Sequence, residues 1–243
     1  MKTVFINGSP KKKLSVSQYL VFMQGLSVKG EKVKEHLRNS SDHERILTAI
    51  KDADAVVFCL PLYVDGVPAH VLSFLKEMEA FCKENRLHLN IYVISNGGFI
   101  EGKQNEPLMQ VFENFCNRSG INWCGGIGIG GGVMLNVMRI MIFVELGILL
   151  LNILISGVQL GNWLPMNVLS EFASEILWIL FLNAGVIWYS LQMGNALNKG
   201  RVCGKKYTRI LIPSFLFVIA ANIFFTIISV FKGGIFRGWL SKK

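Results

Sequence analysis

Short apolar runs alternate with amphipathic stretches through the first 132 residues of the chain. The apolar runs predict strands at 4–6, 32–37, 55–60, 89–94 and 122–127. The stretches between them place apolar residues at helical spacing and predict helices at 17–25, 42–52, 69–84 and 106–119. Strands that alternate with helices form parallel sheets with helices on both faces. We therefore expect residues 1–132 to form an α/β domain with a five-stranded parallel sheet.

The pattern changes after residue 132, where three long and almost uniformly apolar stretches follow at 141–158, 176–193 and 210–231. A run of about 18 or more apolar residues is typical of a membrane-spanning helix. The alternative is that they are interior helices of a large domain, but a first half of this size offers too little surface to bury three of them. We expect residues 133–243 to form an α-helical membrane region with two or three apolar helices.

The net charge of +9 comes mostly from the second half of the chain. Residues 1–132 hold 15 Lys and Arg against 13 Asp and Glu, whereas residues 133–243 hold 10 against 3. A basic and apolar segment indicates contact with membrane lipid, whose cytoplasmic face is anionic. No basic stripe interleaved with aromatic residues indicates nucleic acid as a partner.

The distribution of basic residues also predicts an orientation. The chain starts on a charged residue and a strand instead of a secretory signal, so we expect the first domain in the cytoplasm at the cell membrane. The basic segment 199–209 is expected on the same side, and the uncharged link 161–170 outside. If 210–231 is a third span, it places Lys232, Arg237, Lys242 and Lys243 outside, against the preference of basic residues for the cytoplasmic side. That conflict is absent if 210–231 lies in the interface or packs on the domain. We leave these three alternatives open.

Three polar, glycine-containing loops follow the first, third and fourth predicted strands. They read Asn-Gly-Ser-Pro at 7–10, Pro-Leu-Tyr-Val-Asp-Gly-Val-Pro at 61–68 and Ser-Asn-Gly-Gly-Phe at 95–99. Ligands of open parallel sheets bind beyond the carboxyl ends of the strands, so these loops predict one site. The first loop opens a helix and suits a phosphate, although the same residues are typical of a plain turn.

In these three loops the chain resembles the flavodoxin-like NAD(P)H-dependent oxidoreductases, the FMN reductase family. The resemblance covers about the first half of the chain. It implies that the FMN phosphate is held by the first loop and the start of the first helix, through Gly8, Ser9, Pro10, Ser15 and Ser17. It further implies that the isoalloxazine is lined by Pro61, Leu62, Tyr63 and Gly66, and that its pyrimidine edge meets Asn96, Gly97, Gly98 and Phe99. For Tyr63 and Phe99 the alternative is loop packing.

The resemblance implies hydride transfer from NADH or NADPH to the flavin and onward to an unknown electron acceptor. It is also compatible with a homodimer, since the flavin sites of such reductases often lie at a subunit interface. Because the flavin supplies the reactivity, no catalytic acid or base is assigned. The expected function is a membrane-anchored FMN-dependent NAD(P)H oxidoreductase. Two alternatives are a membrane-tethered flavodoxin-type electron carrier, which an acidic docking face would favour, and a non-redox membrane protein that keeps the scaffold.

Other motifs are weaker. The glycines of 126–131 match the dinucleotide-binding pattern, but no acidic residue follows at the required distance, and we interpret them as a last loop near the ligand. Four scattered histidines lack metal-ligand spacing, so no metal site is expected. An odd number of cysteines, five, without a Cys-x-x-Cys pair predicts reduced packing residues.

Overall fold

A single parallel sheet of six strands organises the first part of the chain. The computed structural model describes residues 1–12, 15–163 and 165–231. Each strand pairs in parallel with its neighbours in the order β2-β1-β3-β4-β5-β6. The first five strands follow the flavodoxin-like order. The strands are β1 (Lys2–Asn7), β2 (Glu31–His36), β3 (Ala55–Pro61), β4 (Asn90–Asn96), β5 (Asn122–Gly130) and β6 (Gly204–Arg209).

Four helices connect the first five strands close to the predicted positions. They are α1 (Val16–Ser27), α2 (His43–Lys51), α3 (Ala69–Glu84) and α4 (Glu106–Ser119). Strand residues alternate between the two faces of the sheet. Val4 and Phe58 therefore join one apolar core with Phe74 of α3 and Phe112 of α4, while Phe5 is buried on the opposite face, where α1 contacts β1 and β3.

The expected number of strands is wrong, because β6 extends the sheet beyond β5. The two strands approach closely at Gly125, whose φ of 109° only glycine adopts readily, and a Cβ there would lie 2.3 Å from the Gly204 carbonyl oxygen. Lys205 Nζ of β6 also lies 2.7 Å from Glu113 Oε2 and 3.1 Å from Glu106 Oε1 of α4. The Tyr207 hydroxyl donates to the same Glu106 carboxylate. Pairing with β5 and side-chain contacts with α4 thus hold β6 in place.

Gly126, Gly128 and Gly130 of the dinucleotide-binding pattern lie in β5 and Gly131 follows it, so the interpretation of the first three as a loop is wrong. Gly126, Gly128 and Gly130 have no room for a side chain. A Cβ at Gly126 would lie 2.6 Å from the Val93 carbonyl oxygen, and one at Gly130 would lie 2.1 Å from that of Ile100. These glycines serve close strand and loop packing instead of phosphate binding.

Three helices lie in the connection between β5 and β6. They are α5 (Gly132–Leu160), α6 (Met166–Leu182) and α7 (Ala184–Asn198). Within α5, a segment of 28 residues contains an 18-residue window with a mean hydropathy of 2.3, and this helix is long and apolar enough to span a membrane. The prediction of one continuous helix at 176–193 is wrong, because the chain bends by 68° between α6 and α7.

Helix α7 covers the sheet face on which α1 lies, and so supplies the last sheet helix. Gln24 Nε2 of α1 donates to the Ser190 carbonyl oxygen at 3.1 Å, and Lys29 N donates to Asn198 Oδ1 at 2.7 Å. Met193 and Leu197 are buried here. The compact unit accordingly extends from Met1 to Ile210, past the predicted boundary at 132.

The chain from Leu211 onward forms a second unit. It contains α8 (Ser214–Phe231), whose apolar run Ser214–Ile227 is shorter than the α5 segment. The basic residues predicted to set the orientation of this end, Lys232, Arg237, Lys242 and Lys243, lie outside the described residues.

Candidate functional site

The loop after β1 is a tight turn held by its own side chains. The Gly8 amide donates to the Cys59 carbonyl oxygen of β3 at 3.0 Å, and the Ser9 amide donates to Asn7 Oδ1 at 3.0 Å. The Lys11 amide donates to Ser9 Oγ at 3.4 Å. The loop is thus a turn stabilised by hydrogen bonds to its own side chains. Ser9 is buried and Pro10 is exposed.

Two serines at the start of α1 have different environments. Ser15 is the N-cap of the helix, and its Oγ accepts a hydrogen bond from the Gln18 amide at 3.1 Å. Ser17 is buried, and its Oγ lies 3.4 Å from Asn96 Nδ2 of β4. The first-turn amides of a helix have no intrahelical acceptor and carry the positive end of its dipole. This first turn is the part of the loop best suited to an anion.

The loop after β3 projects an aromatic and an apolar side chain from the sheet edge. Tyr63 and Gly66 exchange backbone hydrogen bonds of 3.2 and 3.0 Å around Val64 and Asp65, which have φ values of 47° and 55°. This is a two-residue hairpin turn. The Tyr63 side chain is 43% exposed, and partial burial raises the pKa of its hydroxyl. Pro61 is buried, and Leu62 donates its amide to the Asn96 carbonyl oxygen at 2.9 Å.

The loop after β4 is fastened to the end of β5. The Gly97 amide donates to the Ile129 carbonyl oxygen at 2.9 Å, and the Phe99 carbonyl oxygen accepts from the Gly131 amide. Gly98 is exposed, and the Phe99 side chain is 64% exposed. The Gly97 amide is already bonded within the protein. Gly98 and Phe99 are the residues of this loop that face outward.

Asn96 links the loops after β3 and β4 to the start of α1. Its Nδ2 donates to the Leu60 carbonyl oxygen of β3 at 2.9 Å and lies within reach of the buried Ser17 of α1. Its backbone carbonyl accepts from Leu62. The structure thus places the three predicted loops side by side at the carboxyl edge of the sheet. Their side chains differ in access, since Ser17 and Asn96 lie beneath the surface and Tyr63 and Phe99 lie on it.

The sequence pattern assigns no role to four residues near the site. Asn7 shapes the first loop, and His70 Nε2 of α3 lies 3.1 Å from the Gly8 carbonyl oxygen. Asn105, fully buried, accepts from Ser95 Oγ at 2.7 Å and donates to the Gly102 carbonyl oxygen at 2.9 Å. These three are ordinary polar residues whose partners lie far along the chain or across a turn.

The fourth is Arg139 of α5, whose guanidinium carbon lies 5.8 Å from the centre of the Tyr19 ring on α1. Burial raises the pKa of the Tyr19 hydroxyl, and the positive charge of Arg139 opposes that shift. An isolated arginine at the start of a long apolar helix is the one feature that could have marked this position. It lies next to the helix whose first turn is the candidate anion site.

In the described ranges, no three His, Cys, Asp or Glu side chains form a group that could hold a metal ion. The cysteines are free, with Cys59, Cys82, Cys116 and Cys124 buried and Cys203 half-buried. Burial raises the pKa of Cys82 to about 11, which is typical of an unreactive packing thiol.

Neither a protein-family model nor a curated protein matches this chain. Solved structures similar to it include the Trp repressor binding protein from Bacillus subtilis, with 20% identity, coverage of 51% of this chain and 81% of that one, and a TM-score of 0.44. A flavodoxin, WrbA-like protein from Agrobacterium tumefaciens has 15% identity, coverage of 50% and 75%, and a TM-score of 0.43. An NADPH-quinone reductase from P. pentosaceus has 15% identity, coverage of 52% and 83%, and a TM-score of 0.42.

Proposed function

We propose that this protein is a membrane-anchored FMN-dependent NAD(P)H oxidoreductase with an acceptor still to be identified. The observation that carries the proposal is the placement of the three loops at the carboxyl edge of the sheet, where Gly8 bonds to β3 and Asn96 links the loops after β3 and β4 to the start of α1. In parallel sheets that edge is where nucleotide-like ligands bind. A phosphate-suited helix start, a half-exposed tyrosine and an exposed glycine-phenylalanine pair together match the parts of a flavin mononucleotide.

The first loop fits a phosphate because its main chain turns in a very small space. A Cβ at Gly8 would lie 2.3 Å from Leu60 Cδ2 and 3.1 Å from Val71 Cγ2, so a side chain there would push the turn outward. With glycine, the chain reaches Ser15 and the first-turn amides of α1. We assign the FMN phosphate to this turn, with Gly8, Ser9 and Pro10 beside it and Ser15 and Ser17 shaping the helix start.

The second and third loops suit the flat ring of the cofactor. Tyr63 offers a ring face on a rigid hairpin, backed by Pro61, Leu62 and Gly66. Gly98 and Phe99 stand on a loop whose neighbouring residues Asn96 and Gly97 are fixed by hydrogen bonds. The bound flavin would supply hydride chemistry. The role of this chain is then to hold the ring, exclude water from one face and leave the other face accessible to NADH or NADPH.

The membrane anchor is assigned to α5 and α6. Residues 140–158 of α5 extend about 28 Å at 1.5 Å per residue, close to the thickness of a bilayer core. Between α5 and α6, a groove of about 290 Å³ is lined by Glu145, Glu171, Glu175 and Asn152. Ionisable residues within membranes face such interhelical grooves instead of lipid. Since α7 returns to the sheet, both ends of this hairpin remain with the α/β unit, as the positive-inside pattern requires.

A charge introduced at Ser9 tests the phosphate assignment. A carboxylate about 5 Å from a phosphate costs about 3 kcal/mol at an effective dielectric of about 20, which is roughly two orders of magnitude in affinity. We expect Ser9→Asp to lose FMN binding by that factor in a fluorescence titration, while Ser9→Ala changes it little. Far-ultraviolet circular dichroism confirms folding of both variants. Equal FMN affinity in Ser9→Asp and wild type would remove the phosphate from this loop.

The ring assignment is tested at Tyr63. Loss of a stacked aromatic costs about 1–3 kcal/mol by analogy with bases on aromatic side chains. Tyr63→Ala should therefore weaken FMN binding by about tenfold or more, and Tyr63→Phe, which keeps the ring, should bind nearly as wild type. If both variants bind as tightly as wild type, Tyr63 packs within its loop and does not contact the flavin.

A further inference from the structure

Two independent features mark one level along the α5–α6 hairpin. Arg139 is the last charged residue of α5 before the apolar run, and it lies against Tyr19 near the start of α1. On the returning side, the chain bends at Asn183, whose Nδ2 lies 2.8 Å from Met138 Sδ. An arginine is typical of the level where a hydrophobic helix leaves the membrane. The residue that Asn183 contacts, Met138, is adjacent to Arg139 on α5, so the arginine and the bend lie at the same level.

That level coincides with the carboxyl edge of the sheet. The Gly132 amide, at the start of α5, donates to the Gly97 carbonyl oxygen at 2.8 Å. At the start of α7, a Cβ on Gly185 would lie 2.3 Å from Thr208 Oγ1 near the end of β6. Both connections to the hairpin therefore leave from the edge that carries the three loops, and neither leaves from the opposite edge.

Exposed apolar side chains stand on the loops at this same edge. Val64, at the tip of the hairpin turn, is fully exposed, and Tyr63 and Phe99 are 43% and 64% exposed. Basic side chains are also exposed here at Lys11, Lys12 and Lys103, against the acidic Asp65 and Glu101. Aromatic and apolar tips within a mildly basic rim are the composition of a surface that enters the headgroup layer of an anionic bilayer.

We propose that the carboxyl edge of the sheet rests on the membrane surface, with Val64 inserted into the lipid headgroup layer and the flavin site at Tyr63 and Phe99 beside it. The inference rests on the proposed membrane anchor, since α5 and α6 hold the edge at that level. Its occupant is the anionic bilayer surface. The flavin site then lies at the membrane surface, and an electron acceptor that travels along the membrane reaches the open face of the flavin there.

Depth-dependent quenching tests this docking. In full-length protein carrying Cys203→Ser, the four remaining cysteines are buried, so a single introduced cysteine can be labelled with an NBD fluorophore. The test position is Val64→Cys. The control is Asp52→Cys, exposed after α2 at the opposite edge of the sheet, and Leu150→Cys in α5 reports insertion of the anchor. Each variant is reconstituted in vesicles containing anionic phospholipid, with spin labels either near the headgroup or deep in the acyl chain.

Docking predicts that the shallow label quenches Val64→Cys at least about twofold more than Asp52→Cys, as for a residue in the interfacial layer. The deep label should quench Leu150→Cys most. Quenching at Leu150 with none at Val64 would overturn the docking and leave the anchor in place. No quenching at Leu150 would overturn the anchor and the docking together. Protection of Val64 from aqueous iodide without lipid quenching would mean that a protein covers the edge, and would also overturn the proposal.

Discussion

Replacing Asn105 by alanine should loosen the loop that carries Gly98 and Phe99. Asn105 is fully buried and has three polar contacts, from Ser95 Oγ at 2.7 Å and to the carbonyl oxygens of Gly102 at 2.9 Å and Ile129 at 3.4 Å. The bond to Gly102 fixes the far end of the loop. Alanine removes all three contacts and leaves the Ser95 hydroxyl and the Gly102 carbonyl buried.

The expected cost follows from the two short bonds. A buried polar group that loses its partner costs about 1–3 kcal/mol, and the third contact is too long to add much. Allowing for relaxation of the loop, Asn105→Ala should lower the free energy of unfolding by about 2–4 kcal/mol. For a chain of this size each kcal/mol shifts the unfolding midpoint by about 2–4 °C, so the midpoint should fall by roughly 4–16 °C.

The assay is thermal unfolding of detergent-purified protein, followed by near-ultraviolet circular dichroism with and without FMN. The matched control is Asn85→Ala, because Asn85 is exposed and its Nδ2 donates to the Phe81 carbonyl oxygen at 2.9 Å. That variant should lose about 0.5 kcal/mol or less. The stabilisation by FMN should also shrink in Asn105→Ala, since the loop that meets the ring is displaced. Equal midpoints for the two variants would refute the role given to Asn105.

Three other predictions concern β6, the sheet and the thiols. The hydrogen bond from Tyr207, with help from Lys205, lowers the pKa of Glu106. The stabilisation that the Glu106 carboxylate contributes should therefore be present above about pH 4.3 and lost as the pH falls through the pKa of the folded state. Acid titration of Glu106→Gln should lack this loss, which is about 1 kcal/mol or less at a part-exposed site. Gly125→Ala should destabilise the protein by about 3 kcal/mol or more by forcing β6 away, whereas Gly98→Ala, with open space around it, should cost less than about 1 kcal/mol in the same melts. Burial raises the pKa of Cys203 to about 11, so native protein at pH 7 should react with maleimide slowly and at no more than this one thiol, as counted by mass spectrometry.

The α/β part of the fold could be predicted because its signals are local. The helices at 69–84 and 106–119 have the predicted bounds, since each combines an apolar stripe with residues that start or end helices. The placement of three loops at one edge follows from the parallel sheet itself. A pattern along the chain is sufficient for such features.

The remaining features depend on contacts between distant residues. Strand β6 has a basic, weakly apolar sequence, and it is held by Glu106 and Glu113, about a hundred residues away. The bend at Asn183 lies between two apolar segments, so hydropathy alone cannot separate α6 from α7. Similarly, Ser17 resembles a phosphate ligand in the sequence, but the helix turns its side chain toward Asn96 beneath the loops. Only tertiary packing determines these three features.

The most direct test of the proposed function is the visible absorbance of the detergent-purified protein before and after anaerobic addition of NADPH or NADH. The proposal predicts flavin bands, present on purification or restored by added FMN, that bleach when the nicotinamide is added. Bands that persist would indicate an electron carrier without a nicotinamide site. A spectrum without flavin bands after FMN is supplied would contradict the central claim that the three loops bind a flavin.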